Sequence, residues 1–251
     1  MTEKGTPEAT DSPEATDAHE VYDRMAASYA ETNPENPARA GYEWPGVREI
    51  LPDVEGEQVL DAGCGSGHYS AWLAERGASV VGVDASESMV TEARERHGDV
   101  AAFEVADLRD PLPFDDDAFD LVVSQLALEH VEDWDGAATE FARVLGEGGE
   151  LVASMDHPFT TYFVIDHEPP EIGSATAQNA DYYEVERYER DWGEVTMPTY
   201  RRPLREAVRP FFEAGFALTD LREPLPDTDV EHHDYFEENT PRFLVVRAQL
   251  R

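Results

Sequence analysis

At 251 residues the chain is long enough to bury one sizeable core, and its 41% hydrophobic content is ordinary for a globular domain. It carries 55 acidic against 19 basic side chains, a net charge of −36 with Lys4 as the only lysine, and no basic patch that would mark a nucleic-acid surface. Cys64 is the only cysteine, which excludes an intrachain disulfide or a cysteine metal cluster, and no apolar run approaches membrane-spanning length.

Residues 1–18 hold a near repeat, Pro7-Glu8-Ala9-Thr10-Asp11 and Pro13-Glu14-Ala15-Thr16-Asp17, acidic and free of large apolar groups. Such a segment buries too little to offset its ordering entropy and reads as a disordered tail. Nothing in it resembles a basic region followed by an apolar one, so no signal peptide and a cytoplasmic location are expected. Residues 19–251 then read as one domain, opening near Val21 with Tyr22, Met25 and Tyr29 at helical spacing.

From residue 57 to 155 strands and helices alternate. Gln58–Ala62 reads as a strand and His68–Arg76 as the helix after it; Ser79–Asp84 is a second strand, and Ser86 an N-cap for a helix ending before Gly98. Val100–Val105 and Phe119–Ser124 follow as strands three and four. A helix over Trp134–Leu145 is expected to close at Gly146, Gly148 and Gly149, with Glu150–Ser154 as strand five. Residues 158–200 break the rhythm: they are rich in aromatics and acids without clear periodicity, an insertion on one sheet that is expected to act as a lid over an apolar pocket. A helix over Pro203–Ala214 and strands over Phe216–Leu221 and Phe243–Ala248 complete a doubly wound, seven-stranded, mainly parallel α/β sheet.

The acids are spread along the whole chain rather than gathered in one tail, which resembles the surfaces of cytosolic proteins from salt-accumulating archaea. At multimolar salt the Debye length falls to about 3 Å or less and self-repulsion is screened. A halophilic protein of this kind loses structure in dilute buffer; equal low-salt and high-salt melting curves would refute the reading.

The chemistry concentrates in Val59-Leu60-Asp61-Ala62-Gly63-Cys64-Gly65-Ser66-Gly67-His68, a strand running into a glycine turn and a helix. In open parallel sheets the ligand lies beyond the strand carboxyl ends, where this loop sits. The spacing is Gly-x-Gly-x-Gly with Asp61 before it. A dinucleotide fingerprint needs glycine at the place of His68, and a phosphate loop needs Gly-Lys-Ser/Thr. Asp84, ending the second strand, is placed to accept both hydroxyls of a ribose. Asp107 suits either an adenine amino group, with Leu108 against the ring, or a plain turn ahead of Pro111 and Pro113.

Together with Phe119-Asp120-Leu121-Val122 and Arg143-Val144-Leu145-x-x-Gly148-Gly149, these motifs resemble the class I S-adenosylmethionine-dependent methyltransferases, most closely their small-molecule branch. The resemblance covers roughly residues 57–155, with looser flanks. It implies a Rossmann-like fold and S-adenosylmethionine as cofactor. Gly63, Gly65 and Gly67 would hold its methionine part, with Asp61 preceding the loop; Asp84 would hold the ribose, and Asp107 and Leu108 the adenine. Gln125 falls where the family's main chain runs near the sulfonium. His130 and His157 both follow strand carboxyl ends and are candidate bases facing a small-molecule acceptor, or else structural histidines at turns. Two other classes stay open: a cofactor-binding regulatory subunit that transfers nothing, and a nucleotide-dependent oxidoreductase, which the glycine spacing disfavours. His232-His233-Asp234 reads as a solvated loop rather than a metal site.

Overall fold

The computed structural model describes residues 17–33, 36, 38–163, 181–192, 195–225 and 241–251. The acidic repeat before Asp17 and the His232-His233-Asp234 segment lie outside these residues. Helix α1 (Ala18–Thr32) leads through a π-helical turn (Arg39–Glu43) into α2 (Trp44–Ile50). There follow β1 (Gln58–Ala62), α3 (His68–Ala74), β2 (Ser79–Asp84), α4 (Glu87–His97), β3 (Ala102–Val105) and β4 (Phe119–Gln125). A 3₁₀ turn (Leu128–His130), α5 (Trp134–Val144), β5 (Leu145–Asp156), α6 (Pro158–Phe163), β6 (Glu186–Trp192) and β7 (Val195–Arg201) come next. Helix α7 (Leu204–Glu213), β8 (Phe216–Arg222) and β9 (Phe243–Leu250) close the chain.

The main sheet has seven strands in the order β3-β2-β1-β4-β5-β9-β8, with only β9 antiparallel to its neighbours. Its central strands are buried on both faces, as parallel strands between helical layers must be. The two-residue alternation sorts the side chains. Leu60, Val122, Leu151 and Val246 meet Trp134, Phe141 and Phe211 of α5 and α7 on one face. Val59, Leu121, Val123, Val152 and Val245 meet Val47, Ile50 and Leu73 of α2 and α3 on the other. Strand order reverses beside β1, between β2 and β4, so the loops leaving β1, β2 and β4 open onto one crevice.

Two expectations are corrected. Strand β5 begins at Leu145 rather than Glu150. Gly146, Gly148 and Gly149 sit inside it, where the register with β4 shifts between Phe119 and Leu121, so the glycines accommodate an irregularity instead of ending α5. The 158–200 insertion contains α6 and a β6–β7 hairpin that forms its own two-stranded sheet. The hairpin contacts α1, α6 and the Leu128–His130 turn at the carboxyl ends of the strands, not a face of the main sheet. Arg190 of β6 fastens it to Asp156 at the end of β5. Among the described residues no helix is long and apolar enough to cross a membrane.

Candidate functional site

A cleft of about 200 Å³, partly open to solvent, lies at the carboxyl ends of β1, β2 and β4. Its floor begins with the glycine loop. Gly63 has φ +85°, and a Cβ there would stand 2.2 Å from the Cβ of Ala127, so only glycine lets the loop pass beneath the turn after β4. The amides of Gly63 and Cys64 donate to the Val83 carbonyl at 2.8 and 2.9 Å, pinning the loop to β2. Gly67, at φ +79°, does not line the cleft; a Cβ there would meet Phe103 and Ala93 at 2.7–3.0 Å, so its task is packing α3 against β3 and α4.

Asp84 binds the floor from below. Its Oδ2 accepts from the Gly65 amide at 2.8 Å and its Oδ1 from the Ser86 amide at 2.9 Å, while burial raises its carboxyl above the usual range. Asp61 accepts from the Ser70 hydroxyl at 2.5 Å, and burial pushes its carboxyl up to about 6. Burial would likewise raise Asp107, but hydrogen bonds from the Arg109 side chain and backbone outweigh it and hold the carboxyl below its ordinary value. Leu108 lies buried beside it. Leu126, at the end of β4, carries the left-handed φ of +48°, an uncommon strain for a branched residue and one that clusters at functional sites.

Asp61, Gly63, Gly65, Asp84, Asp107, Leu108, Gln125 and His130 all line this one cleft. His157 does not. Its Nδ1 accepts from the Phe159 amide at 3.1 Å and its Nε2 donates to Glu223 at 3.0 Å, an arrangement that starts α6 and ties it to the chain after β8.

His130 is held by two groups. Its Nδ1 lies 3.2 Å from the Pro198 carbonyl of β7, which can only accept, so Nδ1 carries the proton. Nε2 is therefore the acceptor, 3.2 Å from the hydroxyl of Tyr22 on α1. Burial pushes the imidazole down to about 4, leaving it uncharged at neutral pH. Next to it, burial and the neighbouring Asp156 push the Glu129 carboxyl up, and among the described residues its Oε2 has no hydrogen-bond partner.

The sequence reading missed a polar end to the cleft. Arg39, on the π-helical turn, donates to the Tyr29 hydroxyl at 3.0 Å and stands 3.9 Å from the buried Glu43. Among the described residues Trp44 Nε1, the Tyr69 hydroxyl and both side-chain amide atoms of Gln125 are buried without hydrogen-bond partners, and all three residues line the cleft. Arg39 belongs to no motif and is brought in only by tertiary packing. Arg109 was findable, two residues beyond Asp107.

A family model described as a methyltransferase domain matches residues 60–153. A solved S-adenosylmethionine-dependent methyltransferase from Mesorhizobium loti is 31% identical, with 82% of this chain and 97% of that chain covered and a TM-score of 0.69. A demethylmenaquinone methyltransferase of Clavibacter sepedonicus is 38% identical over 53% of this chain and 55% of its own. A ubiquinone biosynthesis O-methyltransferase of Alkalilimnicola ehrlichii is 34% identical over 47% of this chain and 48% of its own. The chain thus spans about half the length of these two curated relatives.

Proposed function

Because the chain belongs to the S-adenosylmethionine-dependent methyltransferases, with S-adenosylmethionine as its cofactor, we propose that it methylates a small-molecule acceptor held between Tyr22, His130 and the β6–β7 hairpin. The observation that carries this reading is the Tyr22–His130–Pro198 chain, an oriented proton path opening on the same cleft as the glycine loop. Support from outside the site comes from the net charge of −36, which repels phosphate backbones, and from relatives named for quinone substrates.

The residues present fit the cofactor. Gly63 lets the loop pass beneath Ala127, Gly65 leaves room for the methionine part with only Tyr29 within 4 Å of where a Cβ would stand, and the Asp84 oxygens, each already taking one amide, retain lone pairs for the ribose hydroxyls. Asp107 and Leu108 suit the adenine. The orphaned donors Trp44 Nε1 and Tyr69 hydroxyl, with the Arg39 guanidinium, suit a carboxylate at the methionine end. When bound, the cofactor supplies an electrophilic methyl group on a sulfonium, whose positive charge must finally leave as the acceptor's proton.

The chain's own task is to orient the acceptor and take that proton. Tyr22 donates its hydroxyl hydrogen to His130 Nε2, and its oxygen is the group on the cleft wall that meets the acceptor. The acceptor's proton passes to that oxygen as the Tyr22 proton passes to Nε2. Burial disfavours the imidazolium so formed, and the Pro198 carbonyl on its Nδ1–H offsets part of that cost. Pro198 and Tyr200 of the hairpin line the same cleft. The acidic, lysine-poor surface supports a high-salt cytoplasm as the working environment.

A panel of phenols, carboxylic acids, thiols and amines with methyl-labelled cofactor is expected to yield at least one product. His130→Ala and Tyr22→Phe are expected to cut its turnover by about 10²–10³-fold, with S-adenosylhomocysteine affinity changed less than about threefold. Transfer to none of the panel alongside methylation of tRNA or protein would overturn the acceptor class; wild-type turnover in both variants would overturn the proton path.

A further inference from the structure

Helix α1 roofs the cleft, bringing Asp17, His19, Tyr22 and Tyr29 over the floor. Its apolar face buries Val21, Ala26, Tyr29 and Ala30, and Ala26 and Tyr29 pack on Met89 of α4 with Tyr22 and Met25, a cluster separate from the two that build the sheet layers. Polar contacts do the rest. At its middle, Asp23 accepts from the Ser86 hydroxyl at 2.6 Å and the Ser88 amide at 3.0 Å, at the start of α4. At its N-terminal end the contact is Arg109. The guanidinium of Arg109 grips Asp107 through Nε at 2.9 Å and Nη2 at 2.6 Å. It reaches α1 through Nη1 to Asp17 at 3.3 Å and Nη2 to the His19 Nδ1 at 3.4 Å.

We propose that Arg109 is a positioning residue of the cofactor site, a clasp that joins the adenine-end acid Asp107 to the roof helix α1 and so sets how fast the cofactor enters and leaves. The inference rests on the assignment of Asp107 to the adenine. Its basis is the asymmetry of the two grips. The arm to Asp107 is a short, forked, charge-assisted contact that keeps the guanidinium in place. The arm to α1 is longer, and its Asp17 side chain is 55% exposed, so it is worth little and breaks readily. A clasp over a site that must open at each turnover needs one firm arm and one loose arm. Asp17 precedes α1 as its N-cap but makes no side-chain capping bond, so its carboxylate is available to Arg109 without cost to the helix.

The test is stopped-flow binding of S-adenosylhomocysteine, read by the fluorescence of Trp44 in the cleft wall, on wild type, Asp17→Ala, Arg109→Ala and Arg109→Lys. Loss of the loose arm in Asp17→Ala is expected to raise both association and dissociation rates about threefold. Arg109→Ala, which also frees Asp107, is expected to raise dissociation about tenfold, with Arg109→Lys in between because it keeps the charge and loses the fork. Faster association in both alanine variants is the signature of a clasp. Unchanged rates in both, or faster dissociation with unchanged association, would overturn the proposal. A folded wild type that does not bind S-adenosylhomocysteine would instead overturn the cofactor-site assignment beneath it.

Discussion

Replacing Gly63 with alanine is expected to destabilise the protein by about 2–5 kcal/mol and to remove cofactor binding from whatever remains folded. Two costs add. An alanine at φ +85° sits in the left-handed region, at about 1–2 kcal/mol. Its Cβ also falls 2.2 Å from that of Ala127, and relieving such a clash in a packed site costs about 1–3 kcal/mol. Ala127 has no rotamer with which to give way. It can only move its backbone, which carries the strained Leu126 before it and His130 after it. The terms are separable. Gly63→Ala with Ala127→Gly is expected to recover the steric part and keep the backbone part. Gly148→Ala, at φ +79° with nothing within 4 Å of its Cβ, is expected to show the backbone part alone. Urea unfolding of these proteins together with Ala127→Gly alone closes the cycle; a Gly63→Ala protein as stable as wild type would mean that the loop does not pass beneath Ala127.

How far the sequence carried can be argued from particular residues. Strands β1, β2 and β4 were legible because each is a short apolar run between turn residues, and a parallel strand buried on both faces leaves that signature. Ser86 was legible as a cap, and its hydroxyl accepts from the Met89 amide. The start of β5 was not, since three glycines look the same whether they end a helix or line an irregular strand. The hairpin was hidden for another reason: Glu186, Arg187, Tyr188, Glu189 and Arg190 are all polar or aromatic, so the half-buried alternation of β6 has no hydropathy contrast to show it. Within the site, residues that follow strand ends were reachable by counting from motifs. Arg39 and Trp44 were not, because a π-helical turn far from any motif swings them into the cleft. His130 and His157 looked equivalent in sequence. They part in the fold because the turn after β4 faces the crevice, whereas the start of α6 packs towards the chain leaving β8.

Asp84→Ala is expected to weaken S-adenosylhomocysteine binding by about 10²–10³-fold. The carboxylate has two duties. It holds the Gly65 and Ser86 amides, bonds to an ionised group worth about 1.5–3 kcal/mol each, and it is the proposed acceptor for the ribose hydroxyls. Alanine removes both, so part of the loss is a loosened loop. Asp84→Asn separates them in part: the side chain keeps its shape and one acceptor oxygen, and a loss of about tenfold is expected. The ligand provides the second axis. 5′-Methylthioadenosine has the same ribose and no amino-acid end, so Asp84→Ala should weaken it by a factor similar to that for S-adenosylhomocysteine. Arg39→Ala should weaken only the homocysteine compound. Titration calorimetry in multimolar KCl measures all four combinations, and Asp84→Ala binding both ligands as wild type does would remove Asp84 from the site. The pH dependence has a fixed sign. Burial raises the Asp84 carboxyl, only the ionised form accepts from two hydroxyls, and so affinity is full above that raised value and falls as pH drops through it. In Asp84→Asn that part of the pH dependence should vanish, because the group that titrates is gone.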